Sequence, residues 1–219
     1  ARELTSSTDT SNQNKNLETK LDKLKRSRML IEFFESLEKS MQNAVDGCAV
    51  VLLPMDKPVR TFFHTNSMTC QEWVNRVRPA VILISLHTGH AAAAVRHAQS
   101  LLYLPTVSNS TATLTPDLLA HCVSLTRALL RVKEPEVIFG IYTWMKQVYG
   151  RKLAWLKCAA EQCSLKFESA ITSYMALLSD NDSSEEINLH DCETKFIIDQ
   201  IVECHKSIHS WQNLITWKD

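Results

Sequence analysis

Arg151–Leu178 reads RKLAWLKCAAEQCSLKFESAITSYMALL. Inside it the string A-A-E…F-E-x-A-I-x-x-Y places Phe167, Ala170, Ile171 and Tyr174 at i, i+3, i+4 and i+7, the spacing of one helical face. Small residues alternating with large ones let tetratricopeptide-like helix pairs interlock, because an alanine leaves room for a neighbour's ring. The stretch predicts paired helices, with Phe167, Ala170 and Tyr174 as packing positions.

Composition agrees. Four glycines and six prolines in 219 residues leave few tight turns, so long helices are favoured over hairpins of strands. Hydrophobic residues at 45%, charged residues at 22% and a formal net charge of zero exclude a disordered chain and argue against direct nucleic-acid binding. Seven cysteines without a C-x-x-C make a disulfide framework or zinc site a poor reading and point to a reducing compartment. No apolar run is long enough to span a bilayer. The chain starts at Ala1 rather than methionine, as a processed product or fragment would.

Toward the C-terminus, residues 179–193 carry carboxylates at Asp180, Asp182, Glu185, Glu186 and Asp191 and read as an exposed acidic loop. Beyond it, Phe196, Ile197, Ile201 and Ile208 mark one side of a further helix pair, and Trp211, Leu214 and Trp217 the other. Trp211 joins the packing set.

Toward the N-terminus, residues 1–16 are too polar to offset the entropy of ordering and read as a tail. From Leu17, apolar positions including Ile31, Phe34, Leu37, Met41 and Ala44 recur at helical spacing up to Gly47, predicting one long helix with a glycine C-cap. Its basic run, Lys20 to Arg28, reads as a solvated face. Pro54 and Pro58 then predict a loop to about Asn66.

Thr69 and Glu72 have capping-box spacing, with Met68 and Trp73 placed as a hydrophobic staple. Cys70, Trp73, Val74, Val77, Val81 and Ile84 follow as a packing stripe, so Cys70 reads as filler rather than nucleophile. Pro79 predicts a kink. His87-Thr88-Gly89-His90 makes a turn, Thr115-Pro116 starts a helix to Val132, and Glu136–Tyr149 makes another, with Val137, Ile138, Ile141, Met145 and Val148 inward. Helix pairs of this size, none able to bury its apolar face alone, predict an all-α solenoid of antiparallel hairpins over residues 17–219, tetratricopeptide- or HEAT-like.

Chemistry is sparse. His87-x-x-His90 has no third ligand nearby, and the adjacent pairs His121-Cys122 and Cys204-His205 point to different helix faces. Phosphate loops, G-x-S-x-G, H-E-x-x-H and D-F-G do not occur. No catalytic, cofactor or metal residue is assigned.

The strings EFFESLEKSM…AVDGCA (Glu32–Ala49), RTFFHTNSMTCQEWVNRVR (Arg60–Arg78), AVRHAQSLL (Ala94–Leu102), GRKLAWL (Gly150–Leu156) and WQNLI (Trp211–Ile215) resemble the SMG kinases. These are phosphatidylinositol-3-kinase-related kinases of nonsense-mediated mRNA decay, and the resemblance is to their helical FAT region. It implies a non-catalytic scaffold segment of a large serine/threonine kinase that phosphorylates an RNA helicase at Ser-Gln and Thr-Gln sites. It further implies an N-terminal helical arch, a kinase domain and SMG accessory subunits as partners. ATP and a divalent metal would be used elsewhere in the parent, and its location would be cytoplasmic with the nucleus as a second compartment. The alternative reading is a free-standing helical-repeat module that binds peptides in a concave groove.

Overall fold

The computed structural model describes residues 3–47, 56–108, 114–183 and 189–218, with side chains at residues 22, 24–47, 56–103, 114–179 and 189–217. Every regular element among them is an α-helix: α1 (Glu3–Val45), α2 (Lys57–Thr65), α3 (Ser67–Thr88), α4 (Ala91–Ser108), α5 (Pro116–Val132), α6 (Pro135–Tyr149), α7 (Trp155–Cys163), α8 (Phe167–Ser183), α9 (Asp191–Ser207) and α10 (Trp211–Lys218). Short connections between contacting neighbours make successive hairpins, the all-α helical-repeat class expected from the sequence. The chain divides into two compact units, residues 1–93 and 94–219.

In the first unit, α1, α2 and α3 pack against one another. Phe34 and Met41 of α1 meet Val74 and Val81 of α3, and Leu37, Phe63, Cys70 and Val77 close over them. The Phe34 and Trp73 rings lie 6.0 Å apart, within the range in which tilted aromatic pairs attract.

Two expectations are corrected at the N-terminal end. The tail over residues 1–16 is not separate, because helical backbone runs from Glu3; no glycine or proline interrupts the chain before Gly47. The loop expected to Asn66 holds α2, whose first turn carries Pro58, where a missing N–H leaves no partner unsatisfied. Pro54 lies outside the described residues.

Left-handed backbone follows several helices, at three glycines and also at Lys133, Leu165 and His209. Gly47, Gly89 and Gly150 have φ of 75°, 81° and 68°, a region that costs other residues about 1–2 kcal/mol. Gly89 donates its N–H to Ser85 O, and His90 N–H reaches the same carbonyl at 2.8 Å. At α5, Thr115 accepts from Leu118 N–H at 3.3 Å, and Pro116 begins the helix.

In the second unit, α7 contacts α5, α6, α8 and α9, and α9 contacts α5, α8 and α10 as well. Trp155, Tyr174 and Phe196 are fully buried there. Each such ring removes about 150–250 Å² from water, worth at most about 4–6 kcal/mol before entropy is subtracted. On α6, Ile138, Ile141 and Met145 face inward, whereas Val137 and Val148 are exposed, since five positions span more arc than the neighbours cover.

The glycines supply a test with two signs. Gly89→Ala is expected to cost about 1 kcal/mol because its φ is positive, although a Cβ there meets nothing within 4 Å. Gly140→Ala, in the body of α6 with equally open surroundings, is expected to stabilise by about 0.5–1 kcal/mol. Urea unfolding followed by helical circular dichroism reads both; equal shifts in one direction would contradict this assignment.

Candidate functional site

Asp, Glu and Lys are almost never fully buried unless paired, yet Glu193 of α9 has no exposed surface. Three donors converge on its carboxylate. The Trp155 indole N–H donates to Oε1 at 2.8 Å, Arg151 donates to Oε2 at 2.8 Å, and the His190 backbone N–H donates to Oε2 at 2.9 Å. The last bond is the carboxylate arm of a capping arrangement at the start of α9. Arg151 and Trp155 come from the turn after α6 and the first residue of α7. One carboxylate therefore joins a helix start to a segment some forty residues upstream in sequence.

The surrounding contacts extend this clamp. Trp155 packs on Phe196 with ring centroids 4.9 Å apart, one turn along α9 from Glu193. Arg127 of α5 lies over the other ring partner, Phe196, at 5.8 Å, and pairs with Asp199 at 2.6 Å. Farther along, Gln162 Nε2 donates to Gln200 Oε1 at 3.0 Å, and the Tyr174 hydroxyl donates to Gln162 Oε1 at 3.1 Å. Helices α7, α8 and α9 are thus linked by buried polar bonds, and α5 joins them through the part-exposed Arg127–Asp199 pair.

The first unit carries a smaller clamp. Arg78 of α3, buried to 4% exposure, pairs with Glu38 of α1 and donates from Nε to Asn75 Oδ1 at 3.1 Å. Asn75 also accepts from Gln71 at 3.2 Å.

The residues predicted as helix cap and staple are placed differently. Helix α3 starts at Ser67 with Asn66 as N-cap, so Thr69 and Glu72 sit inside the helix and are exposed. Asn66 holds that position without a side-chain cap bond, its backbone N–H and side-chain Nδ2 both donating to Phe62 O at the end of α2, each at 2.9 Å. Trp73 turns to Phe34 of α1 rather than to Met68, which is 76% exposed. Ala170 and Tyr174 have no exposed surface, Phe167 is half-buried at the first residue of α8, and Trp211 is half exposed, its ring 6.3 Å from that of His209.

The acidic loop expected over 179–193 is also shorter. Helix α8 runs to Ser183 and α9 starts at Asp191; residues 184–188 lie outside the described residues. Glu193, the hub of the clamp, is not among the loop carboxylates named from the sequence; its one sequence signal is its position three residues after His190 at a helix start, a capping spacing.

The described chemistry favours packing over reaction. Burial pushes the thiols of Cys122, Cys158 and Cys204 up to about 12, with neighbouring carboxylates Glu193, Glu161 and Glu203 adding to the shift. They stay protonated at neutral pH and are poor nucleophiles. Burial lowers the pKa of His121. Among the described residues no group of three His, Cys, Asp or Glu is placed to hold a metal ion, and no helix is long and apolar enough to cross a membrane.

A family model described as serine/threonine-protein kinase smg-1 matches residues 1–219. The chain is 30% identical over 190 residues to serine/threonine-protein kinase Smg1 of Drosophila melanogaster, which is 87% of this chain and 6% of that protein. It is 38% identical over 153 residues to serine/threonine-protein kinase SMG1 of Danio rerio, 70% of this chain and 4% of that protein. Serine/threonine-protein kinase smg-1 of Caenorhabditis briggsae matches at 26% over 168 residues, 74% of this chain and 7% of that protein. The chain thus spans less than a tenth of the length of these relatives.

The clamp predicts a graded response. Glu193→Ala leaves Arg151 and the buried Trp155 N–H without their acceptor and is expected to cost about 3–5 kcal/mol. Glu193→Gln keeps an acceptor oxygen for Trp155 and is expected to cost about 1–3 kcal/mol. Urea midpoints at constant slope check the order, and a loss below about 1 kcal/mol for Glu193→Ala would show that the carboxylate is not the anchor.

Proposed function

Because this chain belongs to the smg-1 family of serine/threonine-protein kinases, we propose that it is a non-catalytic helical scaffold segment of such a kinase. The parent would act in nonsense-mediated mRNA decay, phosphorylating an RNA helicase at Ser-Gln and Thr-Gln sites. The observation that carries the reading is the Glu193 clamp: its charged and polar side chains are spent on joining α5, α7, α8 and α9 to one another. A segment built this way transmits position and resists bending.

Within this reading the segment belongs to the helical FAT region and braces the kinase domain against an N-terminal helical arch. SMG accessory subunits and the helicase engage the parent, and ATP with a divalent metal serves the kinase domain. The whole operates in the cytoplasm and secondarily in the nucleus. The small share of each relative that the chain covers favours this over a free-standing peptide-binding module.

The test uses the full-length kinase and the segment side by side. Glu193→Ala in the full-length kinase is expected to lower the amount of soluble enzyme while leaving the rate of Ser-Gln peptide phosphorylation per folded molecule unchanged. The isolated 219-residue chain, given ATP, magnesium and the same peptide, is expected to transfer no phosphate. Transfer by the isolated chain, or a normal yield of full-length enzyme with a lost rate, would contradict the scaffold role.

A further inference from the structure

Residues 137–160 read VIFGIYTWMKQVYGRKLAWLKCAA, with Lys146, Arg151, Lys152 and Lys157 and neither aspartate nor glutamate among them. The formal net charge of zero is a sum over the whole chain and hides this local excess of cations. Arg151 is spent on Glu193. Lys146, Lys152 and Lys157 are exposed, and none forms an ion pair among the described residues. The nearest acids do not cancel them: Glu136 lies in the first turn of α6 and Lys146 in its last, and Glu161 accepts from Ser169 and Ser173.

Two aromatic rings stand beside these lysines. Phe139 is 52% exposed and Tyr142 half-buried, with their ring centroids 5.8 Å apart. Phe139, Tyr142 and Lys146 fall at i, i+3 and i+7 of α6, the spacing of one helical face. Lys157 of α7 brings its Nζ to 4.7 Å from the centre of the Tyr142 ring, so the second helix adds its charge next to the same rings. Lys152 lies in the turn that joins the two helices. A phenyl ring left half in water contributes little to the core, and packing alone does not account for Phe139.

A partner that matches this face must offer flat apolar surfaces together with regularly spaced negative charge. Single-stranded nucleic acid has both: its bases stack on aromatic rings whatever their sequence, and its phosphates pair with ammonium groups. An acidic peptide satisfies the lysines but leaves the rings without flat partners, and a duplex keeps its bases stacked inside. We infer that Phe139, Tyr142, Lys146, Lys152 and Lys157 bind a short stretch of single-stranded nucleic acid, with bases on the two rings and phosphates on the three lysines. The inference goes beyond the scaffold reading and does not depend on it.

The test is photocrosslinking of the purified full-length kinase to a single-stranded oligouridylate carrying 4-thiouridine, with the crosslinked peptides mapped by mass spectrometry. Crosslinks are expected at Phe139 or Tyr142, and the affinity titrated from their yield is expected to fall with salt at a log–log slope of about −2, the value for three phosphates on a single strand. Phe139→Ala is expected to weaken that affinity roughly 5- to 150-fold, the loss of one stacked base, and Lys146→Glu with Lys157→Glu to abolish the crosslink; all three side chains reach solvent. Oligothymidylate is expected to compete as well as the RNA, since neither contact reads the ribose hydroxyl. No crosslink at these rings, a crosslink indifferent to Phe139→Ala or to the charge reversal, or failure of oligothymidylate to compete would each overturn the inference. Equal competition by polyglutamate or by inorganic polyphosphate, which have no bases to stack, would overturn it too. Ser-Gln phosphorylation by the isolated segment, which would sink the scaffold reading, is a separate measurement and does not alter the crosslink map.

Discussion

A carboxylate withdrawn wholly from water is unfavourable by several kcal/mol unless its partners replace the lost hydration. Glu193 meets that condition with three donors from two parts of the chain, and the second unit is organised around the requirement. Removing the carboxylate strands all three donors, whereas removing one donor leaves a buried charge less well satisfied. A polar clamp of this kind adds little net stability over a well-packed apolar equivalent; its value lies in register. Trp155 can donate to Glu193 only when α7 and α9 sit at one mutual offset, and Gln162 with Gln200 imposes the same offset farther along.

Repeat-like helices need such a device. Leucines and alanines pack tolerably at several offsets, because apolar contact is non-directional, whereas hydrogen bonds are directional and short. Arg78 with Glu38 plays the corresponding part in the first unit, fixing α3 against α1 beside the Phe34, Met41, Val74 and Val81 cluster. In each unit a few buried polar bonds select one arrangement from those the apolar residues would allow.

How far this was legible in the sequence depends on what kind of signal each feature leaves. Periodicity exposed the helices and the inward positions Ile138, Ile141, Met145, Ala170 and Tyr174, since burial of one helical face writes itself directly into residue spacing. Turn chemistry located Gly89, Gly150 and Thr115. What failed were features that depend on competition between neighbours. Thr69 and Glu72 have the spacing of a capping box, but α3 starts two residues earlier, at the joint where Asn66 closes α2 by donating to Phe62 O. Pro58 reads equally as loop or as first helical turn, and only the helix that follows decides. Glu193 does not stand out in the sequence, because its partners Arg151 and Trp155 lie some forty residues away, a distance over which spacing carries no information.

The central claim is that the Glu193 carboxylate couples α7 to α9. Native-state hydrogen exchange of the backbone amides in these two helices, compared between wild type and Glu193→Ala in the full-length kinase, tests it most directly. The account predicts that amides of α7 around Trp155 and of α9 around Glu193 lose protection together and by the same factor, while those of α1 and α3 keep theirs. Loss confined to the first turn of α9, with α7 unchanged, would show that Glu193 merely caps its own helix and would contradict the claim.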